Sequence, residues 1–142
     1  MSVPPWRRRS SLPTNIVAHL RVAHRRRRGQ SHRVPWLLRD DKVLASLDVA
    51  DTARLRRRGL LGRDGIDGAL LLRPARAVHT VRMRFPIDVA YCDADLVVLR
   101  TAHLAPNRIG RPCLNSRCVI EAEAGSFERW GVVPGVQLEV RA

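Results

Sequence analysis

Apolar and polar positions alternate along Lys42-Val43-Leu44-Ala45-Ser46-Leu47-Asp48-Val49, which predicts a first strand soon after the apolar texture begins at Trp36. Asp51 or Thr52 then offers an N-cap to a short helix through Ala53, Leu55 and Arg58, and Gly59 stands where a left-handed residue would end it. Leu60-Leu61 point inward, and Gly62-Arg63-Asp64-Gly65 reads as the following loop. Ala69-Leu70-Leu71-Leu72 has the unbroken apolar character of a buried strand, Pro74 interrupts it, and residues 77–81 resume in extended form. Two β-rich runs, Ile87–Cys92 and Leu96–Thr101, flank Asp93-Ala94-Asp95, the turn chemistry of a hairpin. Residues 106–112 read as a surface loop. Cys118–Glu123 alternates as a strand with one acidic face, Phe127–Trp130 as one helical turn between Gly125-Ser126 and Gly131, and Val136–Val140 as a last strand after the turn pair Pro134-Gly135.

This pattern predicts an α+β, mainly β domain. About six or more strands would form a small curled or barrel-like sheet, with one or two short helices plugging an end. Strands do not alternate with long helices and no glycine-rich phosphate loop is present, so a doubly wound nucleotide-binding sheet is excluded.

Composition changes the picture mainly at the N-terminus. The 142-residue chain has a formal charge of +13, but nine of its 26 basic residues lie in residues 1–34, a segment without an acid; the rest carries 17 basic against 13 acidic residues. The boundaries expected are an Arg-rich, disordered tail over 1–34 and one domain over 35–142. The tail reads as a solvated segment, as a tether for nucleic acid, or as the product of a start assigned too far upstream, with the domain opening near Val34 or Val43. Three cysteines, Cys92, Cys113 and Cys118, with no secretory signal and no membrane-length apolar run predict reduced thiols in a cytoplasmic protein.

Candidate chemistry concentrates in Val78–Asp88. His79, Val81 and Met83 would share one face of an extended segment, with Thr80, Arg82 and Arg84 on the other. A carboxylate from Asp88, or from Glu121 on the later strand, would orient the imidazole as a general base or as part of an anion site, and the arginines would grip a carboxylate or phosphate. The plainer alternative makes Asp88 a strand-end acceptor for turn amides and Arg84 a solvent-side ion-pair partner. Scattered carboxylates around one histidine lack metal-ligand spacing, so no metal or cofactor is expected. Cys92 with His79 as its base is a further nucleophile candidate, set against a packed thiol.

The residues Arg58-Gly59-Leu60-Leu61-Gly62-Arg63, His79-Thr80 with Met83-Arg84-Phe85-Pro86-Ile87-Asp88-Val89, Val119-Ile120-Glu121, and Gly131-Val132 with Pro134-Gly135 together resemble the DUF192 (UPF0127) family over about residues 40–141. The resemblance implies a small, mostly β bacterial and archaeal fold with no established activity, and carries the family's polar set onto Arg63, His79, Thr80, Met83, Asp88 and Glu121. The chain departs from the pattern at Arg82, a position often held by glycine, and around Arg54–Arg57, where the family has an acid. Three functions stay open. The first is a module binding a small molecule or a protein through a pocket formed by Arg63, His79, Thr80, Met83, Arg84 and Asp88. The second is an enzyme, such as a hydrolase, using His79 as general base with Asp88 or Glu121. The third is nucleic-acid tethering through residues 1–34.

Overall fold

A computed structural model describes residues 33–142; the tail and its three readings lie outside the described residues. The elements in chain order are β1 (Trp36–Arg39), β2 (Lys42–Ala50), α1 (Ala53–Arg58), β3 (Ala69–Leu72), β4 (Ile87–Cys92), β5 (Val98–Leu104), β6 (Cys118–Glu123), α2 (Ser126–Trp130) and β7 (Glu139–Arg141). The strands form one seven-stranded sheet in the order β5-β4-β6-β3-β2-β1-β7, antiparallel except where β2 meets β3. This is the mainly β architecture with two short helices that the pattern predicts.

The middle of the sheet is buried on both sides, which explains the unbroken apolar runs of β3, β4 and β6. Residues of alternate parity separate into two cores. Leu37, Leu47, Leu71, Ala90, Ile120 and Phe127 belong to one, and Leu70, Leu72, Ile87, Val89, Tyr91 and Val119 to the other. The first core fills the concave side of a curled sheet. Val98 N–H donates to Val136 O at 2.8 Å, Gly135 N–H to Val98 O at 2.7 Å and Leu138 N–H to Leu96 O at 3.0 Å, so residues 135–138 tie the β5 end toward the β7 end. The sheet curls without closing. The residues expected as a last strand over Val136–Val140 are thus divided between this tie and the shorter β7.

Parallel strands need a long connection, and the one between β2 and β3 runs through α1 and lays Leu60 and Ile66 over the second core. α1 is capped as the sequence predicts. Thr52 Oγ1 accepts from Leu55 N–H at 3.2 Å, and Gly59, at φ +42°, donates its N–H to Leu55 O. β1 is a strand of its own, joined to β2 by Asp40 and Asp41, both at positive φ, as a two-residue type I′ turn requires.

The predicted extended run over residues 77–81 forms no strand; His79 makes an isolated bridge to Ile109, and the backbone then turns at Val81-Arg82. Thr80 secures this segment. Its buried hydroxyl donates to Ala105 O at 2.6 Å and accepts from Arg108 N–H at 2.9 Å, while its carbonyl accepts from Met83 N–H at 3.0 Å and Asn107 N–H at 2.8 Å. Arg82 occupies the third position of the turn at φ +65°, where an L side chain is strained and glycine is at ease. Arg82→Gly is expected to stabilise the domain by about 1 kcal/mol, read as a higher urea midpoint with an unchanged denaturant slope; an unchanged or lower midpoint would contradict this account of the turn.

Candidate functional site

The second core is incompletely covered. A cleft of about 400 Å³ opens between α1 with the residues after it, the 74–83 segment, and the face of β3 and β6. Its apolar lining comes from Leu60, Leu61, Leu72, Val78 and Met83; its polar lining from Glu121, His79 and the α1 arginines Arg56, Arg57 and Arg58.

Glu121 sits in the middle of β6, between β3 and β4, opposite Leu70 on one side and Val89 on the other. It is 3% exposed, and no hydrogen bond or ion pair to its carboxylate is found among the described residues. Burial pushes its pKa up from an ordinary 4.5 to about 7. The other acidic residue on that face, Glu123, is exposed at the strand end, so the acidic face reduces to one buried carboxyl.

His79 and Met83 both reach the cleft, brought to one side by the turn between them and not by strand alternation. The His79 residue is exposed overall, and its place on the wall is fixed through its backbone, by its bridge to Ile109, by the Gly110 N–H bond to Val78 O at 2.9 Å, and by the Thr80 contacts. Thr80 itself is fully buried, with its hydroxyl engaged by backbone, and works as the fastening beneath the wall.

Asp88 is placed elsewhere. Counting along β4, it shares parity with Ala90 and Cys92 of the first core, whereas Val89 and Tyr91 face the cleft side. Its Oδ2 accepts from Gly125 N–H at 2.9 Å and Phe127 N–H at 3.1 Å, and its Oδ1 lies 3.2 Å from His103 Nδ1. A carboxylate from β4 thus satisfies the first free amides of α2, whose own cap residue is a glycine. That is the strand-end role weighed as the plainer alternative. Arg84 pairs with Asp64 at 2.7 Å and Arg63 with Asp48 at 3.4 Å, all with exposed side chains, and neither arginine lines the cleft. Of the polar set carried over by resemblance, therefore, His79, Met83 and Glu121 meet in one cleft, Thr80 lies buried beneath its wall, and Arg63 and Asp88 lie outside it, as does Arg84 of the expected pocket.

Three arginines of α1 that the sequence reading assigned to no site, Arg56, Arg57 and Arg58, also line the cleft. Arg56 donates to Asp51 O and Arg73 O, both at 3.0 Å, which pins α1 to the β3 exit. Their signal was available in the departure of Arg54–Arg57 from the family's acidic pattern. Cys92 is no partner for His79. Its thiol belongs to the opposite core, paired across the strands with Cys118, and its hydrogen bond to that thiol together with burial holds its pKa above the ordinary value. Among the described residues no group of three or more His, Cys, Asp or Glu side chains is placed to hold a metal ion, and no helix is long and apolar enough to cross a membrane.

Fold and site together define a class: a curled α+β sheet that carries a ligand-sized cleft on its convex face, with a buried carboxyl as its floor. The chain belongs to the DUF192 family, described as "Uncharacterized ACR, COG1430", whose model matches residues 37–140. Its fold is similar to that of a protein of unknown function from Novosphingobium aromaticivorans (TM-score 0.64, 18% identity, covering 75% of this chain and 83% of that one). It is also similar to a Sinorhizobium meliloti protein described as a candidate transcription regulator (TM-score 0.62, 21% identity, covering 75% and 91%). At these identities the likeness is one of fold. No curated protein matches the chain significantly.

The raised pKa of Glu121 has a measurable consequence. Between pH 4.5 and about 7 the native carboxyl keeps a proton that the unfolded chain has lost, so stability falls as pH rises through that window, by on the order of 3 kcal/mol if Glu121 acts alone. Denaturation from pH 4.5 to 8 is expected to show Glu121→Gln gaining on the wild type across this range; parallel profiles for the two proteins would count against a buried, unpartnered carboxyl. Asp88→Ala is expected to lower stability by about 2 kcal/mol through the orphaned α2 amides, with far-UV and urea measurements registering the loss.

Proposed function

We propose that this chain is a small-ligand-binding domain whose site is the cleft walled by His79 and Met83 and floored by Glu121. The observation that carries this reading is the unpartnered, buried carboxyl lining an open cleft whose other walls combine apolar side chains with His79 and the α1 arginines. Burying such a group without a partner is unfavourable, and a bound molecule that hydrogen-bonds to it offsets that penalty. A mainly apolar cavity with a few convergent polar groups is also the usual form of a small-molecule site. The pocket expected around His79, Met83 and Asp88 is retained with Glu121 in the place of Asp88. The buried free thiols Cys92 and Cys118 fit the cytoplasmic, reducing setting expected for it.

An enzyme is the second reading, favoured by the presence of two titratable side chains, His79 and Glu121, in one cleft. In that case His79 acts as general base and Glu121 as its partner carboxyl. Nucleic-acid tethering would belong to residues 1–34 and has no counterpart in the cleft.

A thermal-shift screen of metabolites on the full chain tests the binding reading. Ligands that raise the melting temperature of the wild type by several degrees are expected to lose most of that shift in Glu121→Gln and in His79→Ala, and to keep it in Arg84→Ala. Hits that survive both cleft substitutions would move the site elsewhere. Conversion of a hit to product, followed by mass spectrometry and abolished in His79→Ala, would favour the enzyme.

A further inference from the structure

The two ends of the cleft make opposite demands. At the floor stands the Glu121 carboxyl, walled by Leu72, Val78 and Met83 and without a described partner. On the rim stand Arg57 and Arg58, both exposed and forming no ion pair among the described residues, while Arg56 is already committed to the carbonyls of Asp51 and Arg73. A simple anion would satisfy the rim and meet the floor as a like charge, or through a single hydrogen bond while Glu121 keeps its proton. A simple amine would satisfy the floor and approach through a field of guanidinium groups. One molecule meets both ends as opposite charges only if it carries a cationic nitrogen and an acid group. Its apolar portion would rest against Leu60, Leu61 and Met83.

Resting on the reading of the cleft as a binding site, we propose that its ligand class is the small zwitterion: an ammonium placed on Glu121 and a carboxylate or phosphate held by Arg57 and Arg58, with His79 beside the acid group. The cavity, about 400 Å³, lies at the small end of ligand sites and suits a molecule of amino-acid size. An ammonium at the floor binds the ionised carboxylate, so ligand binding expels the proton that burial otherwise keeps on Glu121 near neutral pH. The charged and titratable groups that share the cleft with Glu121 are His79 from the 74–83 segment and Arg56, Arg57 and Arg58 from α1; Tyr91 of β4 lies close enough to feel its charge, and β3 sets Leu70 beside it. A His79→Gln background removes the one imidazole on the cleft wall and isolates the Glu121 contribution.

Calorimetric titration of the full chain with two matched pairs tests the proposal: L-leucine against 4-methylpentanoate, and O-phosphoethanolamine against ethyl phosphate. At least one zwitterion is expected to bind ten times or more tighter than its amine-free partner at pH 8. Its affinity should fall several-fold at pH 6 in the His79→Gln background, with proton release seen as a dependence of the heat on buffer. In Glu121→Gln, checked for folding by circular dichroism, the preference for the zwitterion should vanish while the amine-free acid still binds. Amine-free acids that bind as tightly as their zwitterions, with the same loss in Arg57→Ala/Arg58→Ala, would overturn the zwitterion and leave the cleft as a plain anion site. Binding by none of the four would overturn the zwitterion, and the cleft reading falls with it if the metabolite screen also yields no hit sensitive to Glu121→Gln.

Discussion

The wall of the cleft depends above all on one residue, the buried Thr80 between the 76–83 segment and the loop at 105–110, with Gly110 N–H to Val78 O and Cys113 N–H to Arg76 O on either side of it. The side chain, N–H and carbonyl of one residue hold five contacts there: the hydroxyl joins Ala105 O and Arg108 N–H, the Thr80 N–H bonds Arg108 O at 2.8 Å, and the Thr80 carbonyl takes the amides of Met83 and Asn107. A strand pairing would spread such bonds over several residues; here they converge on one. Net, each contributes about 1 kcal/mol, but a buried donor or acceptor left without its partner costs about 1–3 kcal/mol, so the segment is held or lost as a unit. His79 lies one residue before this point and Met83 three after it. Their approach to the same cleft follows from the turn that the Thr80 carbonyl closes.

Gly110 belongs to the same arrangement. A Cβ built there would lie 2.9 Å from both Tyr91 Oη and Val78 O, so the loop can lie against the 76–83 segment only with no side chain at that position. The Tyr91 hydroxyl beneath it is buried without a hydrogen-bond partner, while the Arg100 guanidinium stacks 4.5 Å from its ring centroid and bonds the carbonyls of Arg111 and Pro112. The loop that sequence composition marks only as turn-rich is therefore seated at Gly110 against Tyr91 and the 76–83 segment.

What the sequence made legible followed local physics. Thr52 and Gly59 delimit α1 by capping, and the unbroken apolar runs of β3, β4 and β6 record burial on two faces. Registers and faces were less accessible. A hairpin turning tightly at Asp93–Asp95 would set Asp88 near Arg100, but Asp93 Oδ1 accepts from the amides of Asp95 and Val97, Leu96 takes φ +63°, and the wider loop sets Asp88 opposite His103. Whether Asp88 or its neighbour Val89 points to the cleft is a matter of parity, which a count along one strand cannot assign without knowing what covers each face. The amides that Asp88 serves lie 37 and 39 residues away and come to it only because β6 pairs with β4. By contrast, the glycine often found at position 82 is explained by backbone alone, a turn residue at positive φ. The Arg82 side chain is exposed outside the cleft, whose arginines come from α1.

Glu121 is where foldability and function diverge most clearly. Its neighbours in β6 are Ile120 and Ala122, which face the concave core, and Val119 on its own face is fully buried, so a valine or leucine at 121 would complete a uniformly apolar central strand. Such a strand would pair with β3 and β4 in the same register, since the ladder uses backbone alone. The carboxyl therefore adds nothing that the sheet requires, and above pH 7 it weakens the fold. A group that a structure bears at a loss, lining a cavity it does not fill, is what the proposed ligand-binding reading accounts for.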